Sequence, residues 1–278
     1  MALARTIEII NDGTTYNLSD GTITYDVTLD GLGIPPVSRN LLDIAMKHGQ
    51  VDNGFRLKSR TMVLTLYYSV ATEAAADAKR DQMYEIFWPS LQPMTLRLTR
   101  ADASVREISC YLNGSVDMSE SDRTGYDQRF VVPLISVDPA WYDPTEVNWY
   151  PDITIRPAFE YQYISYGGSW MEYPVIYFTG ELESPSIGAI ATTLTGTTSY
   201  GFTINETIPS GETWIADLRY GKKTLVDATY HSRLDAIGAL DFTLLRIEKD
   251  GQAWYCSCAS KDSSAEVKVT YNNRYLGA

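Results

Sequence analysis

A chain of 278 residues with 44% apolar and 21% charged positions can bury one large core or two ordinary ones. Its formal charge of −12, from 23 basic and 35 acidic side chains, excludes the basic patch with which proteins neutralise phosphates, and so argues against gripping DNA or RNA. No run approaches the length of apolar residues that a spanning helix needs, so no membrane insertion is expected, and Met1 to Asp12 lacks the apolar core of a secretory signal, so a cytoplasmic site of synthesis is expected.

From the N-terminus, Thr22 to Leu29 alternates, with Ile23, Tyr25, Val27 and Leu29 on one side, which predicts a half-buried strand. A long glycine-punctuated segment follows, from Gly31 through Pro35-Pro36 and Gly49 to Gly54, with Arg39 to Lys47 amphipathic enough to predict a helical turn or two. Segments of this length inside a domain are usually functional or reach a neighbour. Arg60 to Val70 alternates strictly and predicts a strand. Thr72 then offers an N-cap to a helix over Ala74 to Trp88, the only long helix expected, which Pro89 stops. Strands return at Met94 to Thr99. Val105 to Met118 and Tyr126 to Val137 then read as a long β-hairpin, closed by Asp138-Pro-Ala-Trp-Tyr-Asp-Pro144.

A domain boundary is predicted next, with 1–145 as the first domain, 146–172 as an aromatic-rich linker and 173–278 as the second domain. The segment 159–178 holds Phe159, Tyr161, Tyr163, Tyr166, Trp170, Tyr173, Tyr177 and Phe178. Such rings either pack the linker or stack on sugars, since tyrosine and tryptophan combine a flat apolar face with a polar edge; Tyr166, Trp170 and Tyr173 are the candidate glycan or partner contacts. Beyond them, short alternating runs at 175–179, 200–205, 214–218, 223–227, 242–247, 253–258 and 265–271, separated by glycine turns, predict a β-sandwich or jelly roll. Trp214 and Trp254 lie within such runs and are expected in the core.

Enzyme signatures are missing. There is no His-Glu-x-x-His, no Gly-x-Ser-x-Gly and no phosphate loop; Gly221-Lys-Lys-Thr lacks the upstream glycine. His231 stands near Asp227 and Ser232, but triad members meet through the fold and sequence neighbours in a turn make a poor one. Glu181/Glu183 and Asp235/Asp241 are carboxylate pairs of the kind any acidic chain supplies. Cys110, Cys256 and Cys258 are an odd number, and with only His48 and His231 beside them they are expected as free, packed thiols and not a zinc site. No catalytic residue, metal or cofactor is predicted.

One ordered series runs through the whole chain. It comprises Leu32-Gly-Ile-Pro35-Pro36, His48-Gly49, Gly54, Arg60 leading into its strand, Lys79-Arg-Asp81 in the helix and Asp138-Pro139-Ala-Trp141-Tyr142-Asp143. Tyr173-Pro-Val-Ile176, Ser184-Pro-Ser-Ile187, Pro209-Ser-Gly-Glu212, Ile215-Ala-Asp217 and Arg274-Tyr275 complete it. In that order these motifs resemble the distal tail protein (Dit) family of siphophages. The resemblance implies a mainly β chain, with an N-terminal tail-tube-like β-sandwich carrying one packed helix and a C-terminal galectin-like or carbohydrate-module-like sandwich. It implies a structural role at the distal end of the virion tail, as a baseplate hub: a hexameric ring of this chain that contacts the tail tube protein, the tail-tip protein and receptor-binding or accessory proteins while DNA passes its channel unbound. Pro35, Pro36, His48, Gly49, Arg60, Asp138, Pro139, Trp141 and Tyr142 are then the candidate family-motif or ring-contact positions; for Pro35-Pro36 and His48-Gly49, loop geometry and contact with a neighbouring subunit both remain open. The other reading is a carbohydrate-binding adhesin acting through the C-terminal sandwich.

Overall fold

The computed structural model describes residues 5–21, 23–24, 26–43, 48–117, 127–158, 160–193, 196–238 and 245–278, with the backbone alone over 191–193 and 196–199. The chain is mainly β and divides into two units. Unit 1 comprises Met1–Pro144 and Tyr275–Ala278, and unit 2 comprises Thr145–Arg274.

Unit 1 contains β1 (Thr6–Asn11), β2 (Thr14–Asn17), β3 (Asp26–Asp30), β4 (Val37–Asp43), β5 (Gln50–Leu57), β6 (Arg60–Ser69), α1 (Glu73–Ile86), β7 (Met94–Thr99), β8 (Val105–Leu112), β9 (Asp127–Ser136) and β10 (Trp141–Tyr142). Its main sheet runs β2-β1-β7-β8-β9-β6-β3. The strict alternation of β6 and β9 is that of strands with one buried face. Met62, Leu64 and Leu66 of β6 and Phe130, Val132 and Leu134 of β9 share a core with Ile9, Leu96 and Ile108 of β1, β7 and β8. The two halves of the sheet are therefore the layers of a sandwich.

The segment predicted as one long hairpin serves both layers. β8 pairs along its length with β7, and its end, Tyr111 and Leu112, crosses to Ile135 and Leu134 of β9. Gly114, at φ +114°, lies just beyond this crossing, and Asp117 then pairs with Val131. β9 meanwhile runs the whole length of β6, from Arg60↔Ser136 to Ser69↔Asp127. The tip of that hairpin, 118–126, lies outside the described residues.

The helix forms where expected. Thr72 caps it by accepting from the Ala75 N–H at 3.3 Å, and Ala76, Met83 and Ile86 sit on its buried face. Asn11, at the end of β1, donates from Nδ2 to the Ile86 carbonyl at 2.9 Å, satisfying a helix C-terminus that has no basic residue in its last turn. The Tyr68 hydroxyl and Arg80 Nε both donate to Gln128 Oε1, at 2.6 and 3.0 Å, tying the helix to β6 and β9.

Two N-terminal expectations change. The strand predicted over Thr22 to Leu29 is β3 at Asp26–Asp30, paired with β6; Ile23 is buried ahead of it, and Thr22 and Tyr25 are outside the described residues. Arg39 begins no helical turn. Val37–Asp43 is a strand paired with Gln50–Leu57, and residues 44–47 are not described.

Unit 2 contains β11 (Val147–Trp149), β12 (Ile153–Ile155), β13 (Tyr161–Ile164), β14 (Val175–Thr179), β15 (Leu182–Glu183), β16 (Ser186–Thr193), β17 (Gly196–Thr203), β18 (Thr207–Ile208), β19 (Thr213–Asp217) and β20 (Thr224–Val226). A 3-10 turn at Leu234–Ala236 precedes β21 (Gln252–Cys258), β22 (Ser260–Lys261) and β23 (Glu266–Tyr271), and β24 (Arg274–Tyr275) straddles the return to unit 1. One large sheet is β11-β23-β14-β19-β20 and a second β12-β21-β16-β17, with β13 also on β21, beside a small third sheet, β18-β15-β22. Ile176, Phe178, Trp214, Val267 and Val269 of the first meet Ile187, Phe202, Trp254, Cys256 and Cys258 of the second in one core. Residues 146–172, expected as a linker, supply β11, β12 and β13 to this sandwich; Phe159 within them and the first half, 242–244, of the strand expected at 242–247 lie outside the described residues. The three cysteines are free and buried, and burial pushes the Cys110 thiol up to about 12.

Arg60 holds unit 1 at the start of β6. Its side chain is only 2% exposed, and it donates to four carbonyls: Nε to Pro139 at 2.8 Å, Nη1 to Gly31 at 2.7 Å and Gly33 at 2.5 Å, and Nη2 to Leu276 at 2.7 Å. Removing the guanidinium strands these acceptors, so Arg60→Met is expected to cost about 2–4 kcal/mol in chemical denaturation. Arg56→Met, on the exposed hairpin, is expected to change stability by no more than about 0.5 kcal/mol.

Candidate functional site

Strands β4 and β5 form a separate two-stranded sheet. It is rooted where Lys58 N–H donates to the Pro36 carbonyl at 2.8 Å, two residues before Arg60. Its register shifts between Arg39 and Leu41, and Gly54 within β5 has φ +96°. An irregularity and a left-handed glycine twist a ribbon and blunt its edges. Arg39 pairs with Asp52 and lies 5.9 Å from the Phe55 ring centre, while Gln50 Nε2 donates to Asp43 at 2.9 Å.

Nearly every side chain of this hairpin is exposed. Among them are Val37, Leu41, Leu42, Val51 and Phe55, the last 54% exposed. An isolated two-stranded ribbon is at best marginally stable in water, and a cluster of exposed apolar side chains marks an interaction surface. A second exposed apolar group, Tyr84, Trp88 and Leu91, lies at the end of α1 and in the turn after it, with Leu91 97% exposed. Nothing in the local alternation of the sequence separated these residues from core residues.

The family-motif positions fall in two places. Pro35 is buried and Pro36 exposed at the hairpin root, while His48 and Gly49 are exposed at its far end beside β5. Arg60, Pro139 and Trp141 lie inside unit 1, with Trp141 fully buried in the core. The Asp138 carbonyl accepts from the Ser136 hydroxyl at 2.5 Å, and Tyr142 pairs with Glu107 of β8. Desolvation is the main cause that raises the Tyr142 phenol. Pro36, His48 and Gly49 face solvent, whereas the Arg60 to Tyr142 group fixes the frame that carries them.

The aromatic trio is not an open platform. Tyr166 is 6% exposed; its hydroxyl donates to the Trp170 carbonyl at 2.6 Å and accepts from the Arg274 N–H at 2.9 Å. Trp170 is half-buried and pairs with Arg274, and Tyr173 packs on the core with Lys223 Nζ 3.9 Å from its ring centre. Burial lowers the Lys223 ammonium to about 8. These rings anchor the segment before β14, and Tyr166 has no face to offer a ligand.

Asp227 and His231 also serve structure. The carboxylate accepts from the Thr229 N–H and hydroxyl at 2.8 and 2.7 Å, the His231 N–H at 3.0 Å and Arg233 Nε at 3.0 Å. The Thr229 hydroxyl is the largest cause holding this carboxyl well below its ordinary range. His231 points its Nδ1 at the same hydroxyl, at 2.8 Å, so the group organises a tight turn. Among the described residues no three His, Cys, Asp or Glu side chains are placed to hold a metal ion.

Residues 11–136, most of unit 1, match the phage tail protein RIFT-related domain. The class this points to is that of the phage tail domains, which unit 1 resembles. Over 96% of its length the chain has the fold of the crystallised Dit protein of phage SPP1, described as a paradigm of the hub adsorption apparatus in phages infecting Gram-positive hosts. The two are 12% identical, with a TM-score of 0.67, covering 96% of this chain and 98% of that one. The activated baseplate of phage P2, with Ca and with Sr, contains chains similar at 14% identity, 96% and 98% coverage, and TM-scores of 0.47 and 0.45. No curated protein sequence matches. The resemblance to siphophage distal tail proteins drawn from the ordered motifs is borne out by the tail domain and by the fold.

The Asp227 turn makes a pH-dependent prediction. A carboxyl with a depressed folded pKa stabilises the fold above its unfolded value, about 3.9, and that stabilisation is lost as pH falls through the folded value. Asp227→Asn is therefore expected to lower the melting temperature at pH 7, and the gap to the unsubstituted protein should narrow as the pH is taken below about 4.

Proposed function

We propose that this chain is a non-catalytic structural subunit of a long-tailed phage tail tip, assembled as a ring of six copies at the distal end of the tail. Unit 1 forms the ring and meets the tail tube and tail-tip proteins. Unit 2 carries receptor-binding or accessory proteins. The observation that carries this reading is the β4–β5 hairpin, an exposed apolar ribbon rooted in a tail-protein domain. A second copy is its natural cover, and the Tyr84, Trp88 and Leu91 group offers apolar surface of the same kind.

Geometry is compatible with a channel. A domain the size of unit 1 has a radius of gyration of roughly 15 Å and a diameter of roughly 38 Å, and six touching spheres enclose a hole as wide as one sphere. The negative net charge of each copy lets DNA pass the channel without adhering, because like charges repel within about a Debye length of 8 Å.

Light scattering over a range of concentrations, with negative-stain images of the largest species, tests the reading. The 31.1 kDa chain is expected to reach six or twelve copies with a central hole. The double variant Leu41→Asp/Phe55→Asp, altered only on the exposed ribbon, should melt as the unsubstituted protein does but stay monomeric. A chain that remains a monomer at every concentration, or variant and parent assembling alike, would contradict it.

A further inference from the structure

We propose that Asn53 is a self-modifying site, at which the chain converts its own asparagine to aspartate and isoaspartate through a cyclic imide closed by the Gly54 nitrogen, with Asp52 as the base. The β4–β5 register prepares it. Pairing passes from Arg39↔Phe55 to Leu41↔Asp52, so Asn53 and Gly54 on one strand oppose Asn40 alone on the other. Such a bulge leaves its extra residue out of the ladder. The Gly54 N–H donates instead to Asp52 Oδ1, at 3.1 Å. Glycine after asparagine leaves the attacking nitrogen least hindered, because no Cβ stands beside it. Gly54 sits at φ +96°, and even a Cβ placed on it would meet no atom within 4 Å, so the space around this nitrogen is open.

By itself the Asp52 bond is an Asx turn that shapes the bulge. Its chemical consequence lies one residue on, because the carboxylate holds the proton of the one nitrogen that can close a five-membered ring on the Asn53 side-chain carbonyl carbon. The Gly54 nitrogen bonds to that carbon as Asp52 Oδ1 takes its proton. The side-chain carbon–nitrogen bond then breaks, and its nitrogen leaves as ammonia with the proton that Asp52 held. Water opens the imide. Addition at the side-chain carbonyl breaks the new bond and gives aspartate; addition at the main-chain carbonyl breaks the original peptide bond and gives isoaspartate. No electrons are gained or lost, and water is the only co-reactant. Arg39 pairs with Asp52 through Oδ2, which keeps Oδ1 turned to Gly54 and makes Arg39 a positioning residue. Arg56 lines the same open hollow as Arg39, Asn53 and Gly54, where positive charge favours the oxyanion that forms on the carbonyl during attack.

The chain carries its own comparison. Its other Asn-Gly pair is Asn113-Gly114, where Leu112 stands in the place that Asp52 takes before Asn53. Asn113 N–H is tied to the Pro133 carbonyl at 2.8 Å, and a Cβ on Gly114 would lie 3.7 Å from the Pro133 ring. The same dipeptide thus occurs once beside a carboxylate in open space and once against β9 without one. Conversion at Asn53 puts a second carboxylate next to Asp52, on a ribbon whose exposed apolar side chains include Leu41 and Phe55. Isoaspartate also lengthens the main chain by one carbon at the bulge. A charge is costly to bury without a partner. Where this ribbon is the contact between copies, unassembled subunits lose with age the surface through which they assemble. That consequence rests on the ring reading, and the conversion itself does not.

The test is peptide mapping of the full folded chain, sampled over days at neutral pH, with fragmentation that separates aspartate from isoaspartate. Asn53 is expected to convert at least about tenfold faster than Asn113, and the two rates should converge in denaturant, where the bulge no longer holds the carboxylate on the Gly54 N–H. Asp52→Asn should slow conversion at Asn53 about tenfold, with an unchanged melting temperature and an unchanged rate at Asn113. Asn53→Gln, which would have to close a larger ring, should remove the mass gain at that site. Asn53 converting no faster than Asn113 in the folded chain, a ratio of rates that unfolding leaves alone, or a rate undiminished in Asp52→Asn would overturn the proposal. Asn53→Asp, the converted state, should melt as the parent does and stay monomeric, as Leu41→Asp/Phe55→Asp does. Asn53→Asp assembling like the parent while that double variant does not would overturn the effect on assembly. All three assembling alike would contradict the ring reading, and the rates at Asn53 and Asn113 would still decide the conversion.

Discussion

The buried guanidinium of Arg60 is the constraint on which unit 1 turns. A charge taken out of water is tolerated when its donors are satisfied, and here four of the five N–H groups that an arginine carries go to carbonyls. Those carbonyls belong to three segments distant in sequence: the run into the hairpin at 31–33, the turn after β9 at 139, and the C-terminal tail at 276. Burial lowers the Arg60 pKa from its usual value, and the carbonyl dipoles offset that cost without a carboxylate. The tail is held a second time, by Arg106 stacked 3.5 Å from the centre of the Tyr275 ring. Only with both ends of the 31–60 segment fixed in this way can the ribbon between them stand free of the core.

The exposed ribbon and the closed sandwich are two solutions to one problem. Strands with one apolar face bury it at once, as β6 and β9 do. β4 and β5 distribute apolar residues over a surface that no part of the described unit 1 covers. That surface is costly in an isolated chain and useful in an assembly, which fits the proposed role as a ring subunit. Unit 2 divides differently, with a dense aromatic core inside and Tyr161 and Tyr163 exposed on its outer side.

Much of this was legible in the sequence, and the failures have physical causes. Alternation found β6, β7, β14, β19, β21 and β23, because each buries one face, and the Thr72 cap with Pro89 bracketed the helix. Arg39–Lys47 read as helical because Leu41 and Leu42 fit a stripe; a ribbon exposed on both faces leaves no period-two record to oppose that reading. Residues 146–172 read as an aromatic-rich linker because their strands are too short to leave a long alternating run, yet Tyr161–Ile164 is held to β21 by partners some ninety residues away. Tyr166 was singled out as a ring, when its hydroxyl is the part that the structure uses.

The central claim is that this chain is a building block of the tail tip. The most direct test is immunogold electron microscopy of particles produced from the genome that encodes it, using antibody raised against the purified chain. The account predicts gold at the distal end of the tail and nowhere else. Gold along the tail shaft or on the capsid, or particles that lack the chain altogether, would contradict it.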